Sequence, residues 1–245
     1  MSAPARWADL RRFTSARVAL GRAGNGLPTG AHLAFQAAHA AARDAVHAAL
    51  DSAALRAELA AIGIDSVSVR SRAKDRHTYL LRPDLGRRLR EADRRRLTPC
   101  PGSFAFVVCD GLSATAVARQ AVPLLAASVP ALRAQGIAVA PVVVAQQGRV
   151  ALGDAIGEAL GAEAVAVLIG ERPGLSAADS LGIYLTWQPR RGRTDAERNC
   201  ISNVRPEGLA PAAAAEKLLW LVGEMRRLRL SGIGLKDEQA AALGG

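Results

Sequence analysis

Aromatic side chains are scarce, at 4% of the 245 residues. Aliphatic side chains must therefore fill the core, and half of all residues are hydrophobic, enough for a sizeable one. Cysteine is equally sparse. Cys100, Cys109 and Cys200 form no C-x-x-C pair, which excludes a zinc ribbon. An odd, low count fits a reducing compartment. Long apolar runs are missing. The charge-free windows at residues 120–132 and 134–148 are broken by Pro, Gln or Gly and are too short to span a bilayer. Residues 1–7 lack the apolar core of a secretory signal. These absences predict a cytoplasmic protein with no membrane span and no metal cluster.

What is present is charge of one sign, unevenly placed. The net charge is +10, and residues 1–97 hold 18 Lys/Arg against 9 Asp/Glu. The remainder is nearly balanced. Only Lys74, Lys217 and Lys236 are lysines, so arginine dominates. The asymmetry marks the N-terminal part as the charged docking surface.

A Gly/Pro-rich loop at 21–29 precedes a helical pattern from Thr29, and a second helix is expected over residues 52–62. Residues 67–70 read as extended. An arginine-rich helix is expected over 84–96, and Leu97-Thr98-Pro99-Cys100-Pro101-Gly102 then breaks the chain. A domain boundary is placed there, giving a basic, mainly helical region 1–97 and an α/β region 98–245. Beyond it, strands are expected at 104–109, 137–145, 164–169 and 183–187. Helices are expected at 114–134, interrupted near Pro123 and Pro130, at 152–160, with Asp154 placed for the helix dipole, and at 210–229. Strand and helix alternate, which predicts an α/β fold with a doubly wound, Rossmann-like, mostly parallel sheet.

Chemistry is expected where strands end. The strand at 164–169 runs straight into Gly170-Glu171-Arg172-Pro173-Gly174, and Glu171 is placed to accept hydrogen bonds from a ligand. An ion pair with a neighbouring arginine is the plainer account of it. Asp110-Gly111-Leu112-Ser113 follows the first strand of the α/β region, where a ligand loop could lie but a helix cap is the favoured account of the serine. No G-x-G-x-x-G lies at that turn and no G-x-x-x-x-G-K-[ST] occurs anywhere, so a standard nucleotide site is excluded. Residues 198–208 are dense in polar groups and read as a solvent or binding loop. Cys200 lies there, but all four histidines precede residue 78, which argues against Cys-His catalysis. His32, His39 and His47 lie seven and eight apart, too far for joint metal ligation. The arginines at 87–96 resemble a phosphate-binding face but lack interleaved aromatics. A basic α/β nucleic-acid-binding protein is the alternative that this charge supports. No catalytic residue set emerges from the chain itself.

Several long segments carry a resemblance. They are Phe13 to Arg22, Phe35 to Asp51, Tyr79 to Arg87, Asp110 to Ala114, Arg149 to Asp154 with Ile156-Gly157-Glu158, Gly170 to Leu175, and Cys200 to Asn203. In these the chain resembles the small (light) subunit of ethanolamine ammonia-lyase. The resemblance implies a subunit of an adenosylcobalamin-dependent enzyme that converts ethanolamine to acetaldehyde and ammonia through an adenosyl radical. It implies that catalytic residues belong to a large-subunit TIM barrel, that six large and six small subunits assemble, and that the small subunit closes over the cobalamin. Position by position, it places cobalamin contacts on Val150, Glu171 and Cys200, with Cys200 a contact and not a nucleophile. Asp110 and Ser113 are weaker additions from their strand-end position. Asp75-Arg76-His77 begins the D-x-H-x-x-G pattern that gives cobalt a histidine, but Leu80 stands at the glycine position. The cobalt is therefore expected to keep its own dimethylbenzimidazole. The N-terminus is shorter than the leader of enteric relatives, and a bacterial microcompartment is the family's setting within the cytoplasm.

Overall fold

In the computed structural model, residues 9–14 and 16–238 are described. The strands are β1 (Ser66–Arg70), β2 (Phe104–Cys109), β3 (Val142–Gln146), β4 (Ala164–Gly170), β5 (Leu181–Trp187) and β6 (Arg198–Val204). They form one sheet in the order β1-β3-β2-β4-β5-β6. The first four are mutually parallel, whereas β5 runs antiparallel to both β4 and β6. Strands β2 and β4 are apolar throughout and wholly buried, as strands covered on both faces must be.

The helices are α1 (Thr29–His47), α2 (Ser52–Ala61), α3 (Arg76–Leu81), α4 (Pro83–Gly86), α5 (Glu91–Arg94), α6 (Ala114–Ala134), α7 (Leu152–Leu160) and α8 (Pro211–Leu228). Helices α2, α6 and α8 share one core with Phe104, Phe106 and Val108 of β2. Helix α7 shares the other with Ala105, Val107 and Cys109. The alternation of one strand between two cores is the period-two pattern at work. Helix α7 lies close to the sheet because Gly153 and Gly157 face it: a Cβ would come within 2.2 Å of Val167 Cγ2 and 2.4 Å of Pro189 Cγ, respectively.

Helix α6 is continuous through Pro123 and Pro130, where interruptions are expected from the sequence. Both prolines lie on its exposed side, so the carbonyls they leave unpaired face water. Helix α6 is also the one helix among the described residues long and apolar enough to cross a membrane. Half of its apolar window is buried inside the protein, against β4 and α8.

Three further sequence expectations change. Residues 84–96 are not one helix but two single-turn pieces, α4 and α5, joined by a turn at Arg87 and a short extended stretch at Leu89 and Arg90. There Leu89 bridges Ser71 and is buried, while Asp93 accepts the Arg70 amide at 3.1 Å. The strand expected at 137–145 shortens to Val142–Gln146, beginning after Pro141. Residues 198–204 are not a loop but edge strand β6. Ile201 and Val204 enter the core, and Arg198 is buried through an ion pair, so apolar spacing is sparse although the strand is real. The sheet also draws on both sides of residue 97, because β1 pairs along its whole length with β3.

Candidate functional site

From β2 the chain passes to β3 on one side and then to β4 on the other. A doubly wound sheet opens its ligand crevice at such a reversal, beyond the carboxyl ends of the strands. Asp110, at the end of β2, organises the loops that meet there. Its carboxylate accepts the amides of Gln147 at 2.9 Å, Gly148 at 3.1 Å and Gly111 at 3.1 Å. Those bonds hold Gln147 in the left-handed region, φ 57°. Burial pushes the Asp110 carboxyl above its ordinary value, opposed by the three amides and by Arg76 at 3.9 Å. Arg76 and Arg149 flank the Tyr79 ring, their guanidinium carbons 4.7 and 4.2 Å from its centroid. Four buried atoms around this cluster, Arg76 Nη2, Tyr79 Oη, Gln147 Oε1 and Arg149 Nε, have no partner among the described residues.

Asp110 and Ser113 are thus spent within the chain. Ser113 Oγ accepts the Ala116 amide as the cap of α6 and donates to the Ala178 carbonyl at 2.7 Å, tying down the loop after β4. Neither residue is open to a ligand, since Asp110 is 2% exposed and Ser113 is fully buried.

A second arrangement lies on the α7 side of the sheet. Helix α7 packs over β2 and β4, leaving Tyr184 of β5 half-buried and Cys200 of β6 exposed. These two are direct partners across the strands. Glu171 leaves the end of β4 beside them. Its Oε2 accepts from the Ser180 hydroxyl and from the Asn203 amide at 3.2 Å. No arginine pairs with it, so the plain ion-pair account of Glu171 does not hold among the described residues. Its Oε1 has no donor among the described residues, and Gly182 leaves it room: a Cβ there would lie 3.0 Å from Oε1 and 3.2 Å from Tyr184 Cε2. Val150 follows β3 and packs on the same core as Tyr184. One face therefore presents a phenol, a thiol and a fixed carboxylate with one oxygen unpaired among the described residues, and Val150 packs on the core beneath it.

The electrostatics of this face are coupled. Burial, then the neighbouring Cys200 and Glu171, pushes the Tyr184 hydroxyl up to about 12. Cys200 is exposed as a residue, but its sulfur sits among neighbours. Burial leads in raising its thiol, Glu171 adds to the rise, and Tyr184 opposes it. The thiolate is the nucleophile, so a raised value moves reactivity to higher pH. Alkylation of Cys200 by iodoacetamide is expected to be slow at neutral pH and to be still rising at pH 9, the ordinary thiol value, where an unshifted thiol would already be levelling off. Mass spectrometry of the Cys200 peptide over time checks this, and a rate already at plateau by about pH 8 would contradict it.

Tyr184 and Ser180 carry no signal in the sequence beyond one phenol in an apolar strand and one serine before it. The ion pair of Asp154 with Arg198 is equally hidden. Asp154 stands in the first turn of α7, where an acid suits the helix dipole, but its partner is the buried guanidinium of β6, at 2.7 Å through each oxygen. Among the described residues, no group of three or more His, Cys, Asp or Glu could hold a metal ion.

The geometry defines an α/β protein whose sheet face is only partly covered by α7. Comparison with known proteins supplies its family. The model of the family described as Ethanolamine ammonia-lyase light chain (EutC) matches residues 4–236. The chain is 57% identical to a protein named "Ethanolamine ammonia-lyase small subunit" from Azotobacter vinelandii, covering 96% of this chain and 90% of that one. Proteins of the same name from Ralstonia nicotianae and Pseudomonas syringae pv. tomato are 56% and 54% identical, over 94% and 97% of this chain and 88% and 85% of theirs. The chain belongs to the ethanolamine ammonia-lyase light chain family.

Proposed function

We propose that this chain is the subunit that closes one side of an adenosylcobalamin site, the other side being the large subunit of ethanolamine ammonia-lyase. The observation that carries this is Glu171. Its carboxylate is fixed by Ser180 and Asn203, keeps one oxygen free, and stands beside Tyr184 and Cys200 on a sheet face that α7 leaves open. Such a face fits the edge of a large, flat, amide-fringed macrocycle. Apolar surface at Val150 and Tyr184 takes the ring, and a fixed acceptor takes a side-chain amide or ribose hydroxyl. When bound, adenosylcobalamin supplies radical chemistry from its cobalt–carbon bond, and the protein's part is to bind, orient and shield it.

Within this chain each residue has a limited task. Val150 and Tyr184 exclude water from the macrocycle. Glu171 fixes its orientation through Oε1. Cys200 is a contact, and its raised thiol keeps it protonated and inert near neutral pH. His77 is not a cobalt ligand in this reading, because Leu80 stands where the D-x-H-x-x-G pattern needs glycine, and the cobalt keeps its own base. The substrate amine and the reacting carbon belong to the large subunit, with six copies of each subunit as the family's assembly.

Co-expression with the cognate large subunit tests the reading. Ammonia release from ethanolamine is expected only when both chains and adenosylcobalamin are present. Full activity of the large subunit without this chain would overturn it.

A further inference from the structure

The bridge between Ser71 and Leu89 builds a short antiparallel ribbon. The Arg72 amide donates to the Arg88 carbonyl at 2.8 Å, and the Arg90 amide donates to the Arg70 carbonyl at 3.1 Å. Ser71 and Leu89 turn inward and are buried. Strand alternation then sends their neighbours outward, and Arg70, Arg72, Arg88 and Arg90 are all exposed. Arg70 stands opposite Arg90, and Arg72 opposite Arg88. Like charges directly across a ribbon repel. The fold does little to relieve this. Arg70 donates to the neutral Gln146 side chain at 2.8 Å, and the side chains of Arg72, Arg88 and Arg90 make no hydrogen bond or ion pair among the described residues.

The ribbon forms one wall of a groove of about 1090 Å³, to which Lys74 and Arg87 add two more cations. Across it, Arg191 and Arg193 are already paired, with Glu158 and Glu197. The acids that line it are Glu91 and Asp154, and Asp154 is consumed by Arg198. Ala151 also lines the groove, next in sequence to Val150. The groove therefore adjoins the segment that carries Val150, which the proposed reading places at the cofactor. No aromatic side chain lines it, so it offers nothing on which bases could stack.

We propose that this arginine groove receives an acidic segment of the large subunit, a step that rests on the reading given under Proposed function. Carboxylates laid between the paired arginines would remove the cross-strand repulsion that the isolated chain retains. The partner's approach is steered by the same charges.

The test measures binding of the full chain to the large subunit at about 0.05 M and about 0.5 M salt. Arg72→Glu and Arg88→Glu are expected to weaken binding at least about tenfold at low salt. The loss should shrink at high salt, while Arg133→Glu on the far end of α6 binds as wild type. Arg72→Gln separates docking from folding: its thermal midpoint should equal or exceed that of the wild type, because a repulsive pair is gone, while its binding weakens. Variants that bind as tightly as wild type, or binding indifferent to salt, would overturn the groove assignment and leave the family reading standing. Wild-type chain that fails to bind the large subunit at all would sink both. Low-salt binding of DNA or RNA that Arg72→Glu abolishes, with complex formation unchanged, would assign the groove to nucleic acid instead.

Discussion

Arg198→Ala is expected to destabilise the chain by about 3–5 kcal/mol, the cost of leaving a buried carboxylate without its partner. The side chains of Arg198 and Asp154 are 2% and 3% exposed. The guanidinium meets both carboxylate oxygens at 2.7 Å, and adds the Thr186 hydroxyl at 2.9 Å and the Arg193 carbonyl at 3.1 Å. Almost every donor is spent, so truncation strands acceptors on three elements at once. Urea unfolding of the full chain measures the loss. The double change Arg198→Met with Asp154→Leu should recover most of it, since a buried pair is often no more stabilising than apolar side chains of similar volume. A single variant as stable as wild type would show that the pair is not buried as described. The pair also has a positional effect. It joins the first turn of α7, just after Val150, to the strand that carries Cys200. Variants that fold should therefore still alter the spacing of the candidate site.

The second large effect falls on the cofactor. Glu171→Ala is expected to weaken the affinity of the assembled enzyme for adenosylcobalamin by about 10- to 100-fold, the loss of one hydrogen bond to a charged group. Equilibrium titration of the complex, followed by the cofactor's visible absorbance, reads this directly. Glu171→Gln keeps an acceptor oxygen and should lose less. Ser180→Ala should fall between wild type and Glu171→Ala, because Ser180 holds the carboxylate without touching the ligand. Wild-type affinity in Glu171→Ala would remove Glu171 from the site and with it the main support for the shared-site reading.

The parts of this molecule legible in its sequence are those whose environment is uniform. Strands β2 and β4 are covered on both faces, so each is an unbroken apolar run. Glu171 and Asp110 were visible as polar residues at strand ends, the position where ligands and loop organisers both occur. Telling the two apart needed the structure: both Asp110 oxygens are taken by amides, whereas Glu171 keeps Oε1. Strand β6 was illegible because one of its faces is open and the other offers the core only Ile201 and Val204. Arg198 was illegible because its partner lies 44 residues away. The arginines at 87–90 read as a helix face by composition. The helix stops after one turn, and Leu89 and Arg90 are extended, because Leu89 and Asp93 anchor the segment to β1 and its end, a tertiary contact that overrides local propensity.

Strand β1 finds its partner late. Arg70 and Gln146 stand side by side in the sheet but are 76 residues apart in the chain. At ordinary rates of translation, roughly 4–15 s separate the emergence of β1 from that of β3. Throughout that interval the valines of β1 have no strand to pair with, while α2 beside them is already complete. The N-terminal part of the protein therefore cannot mature ahead of the rest. Its arginines, held in place by β1, take up their final arrangement only after β3 has left the ribosome.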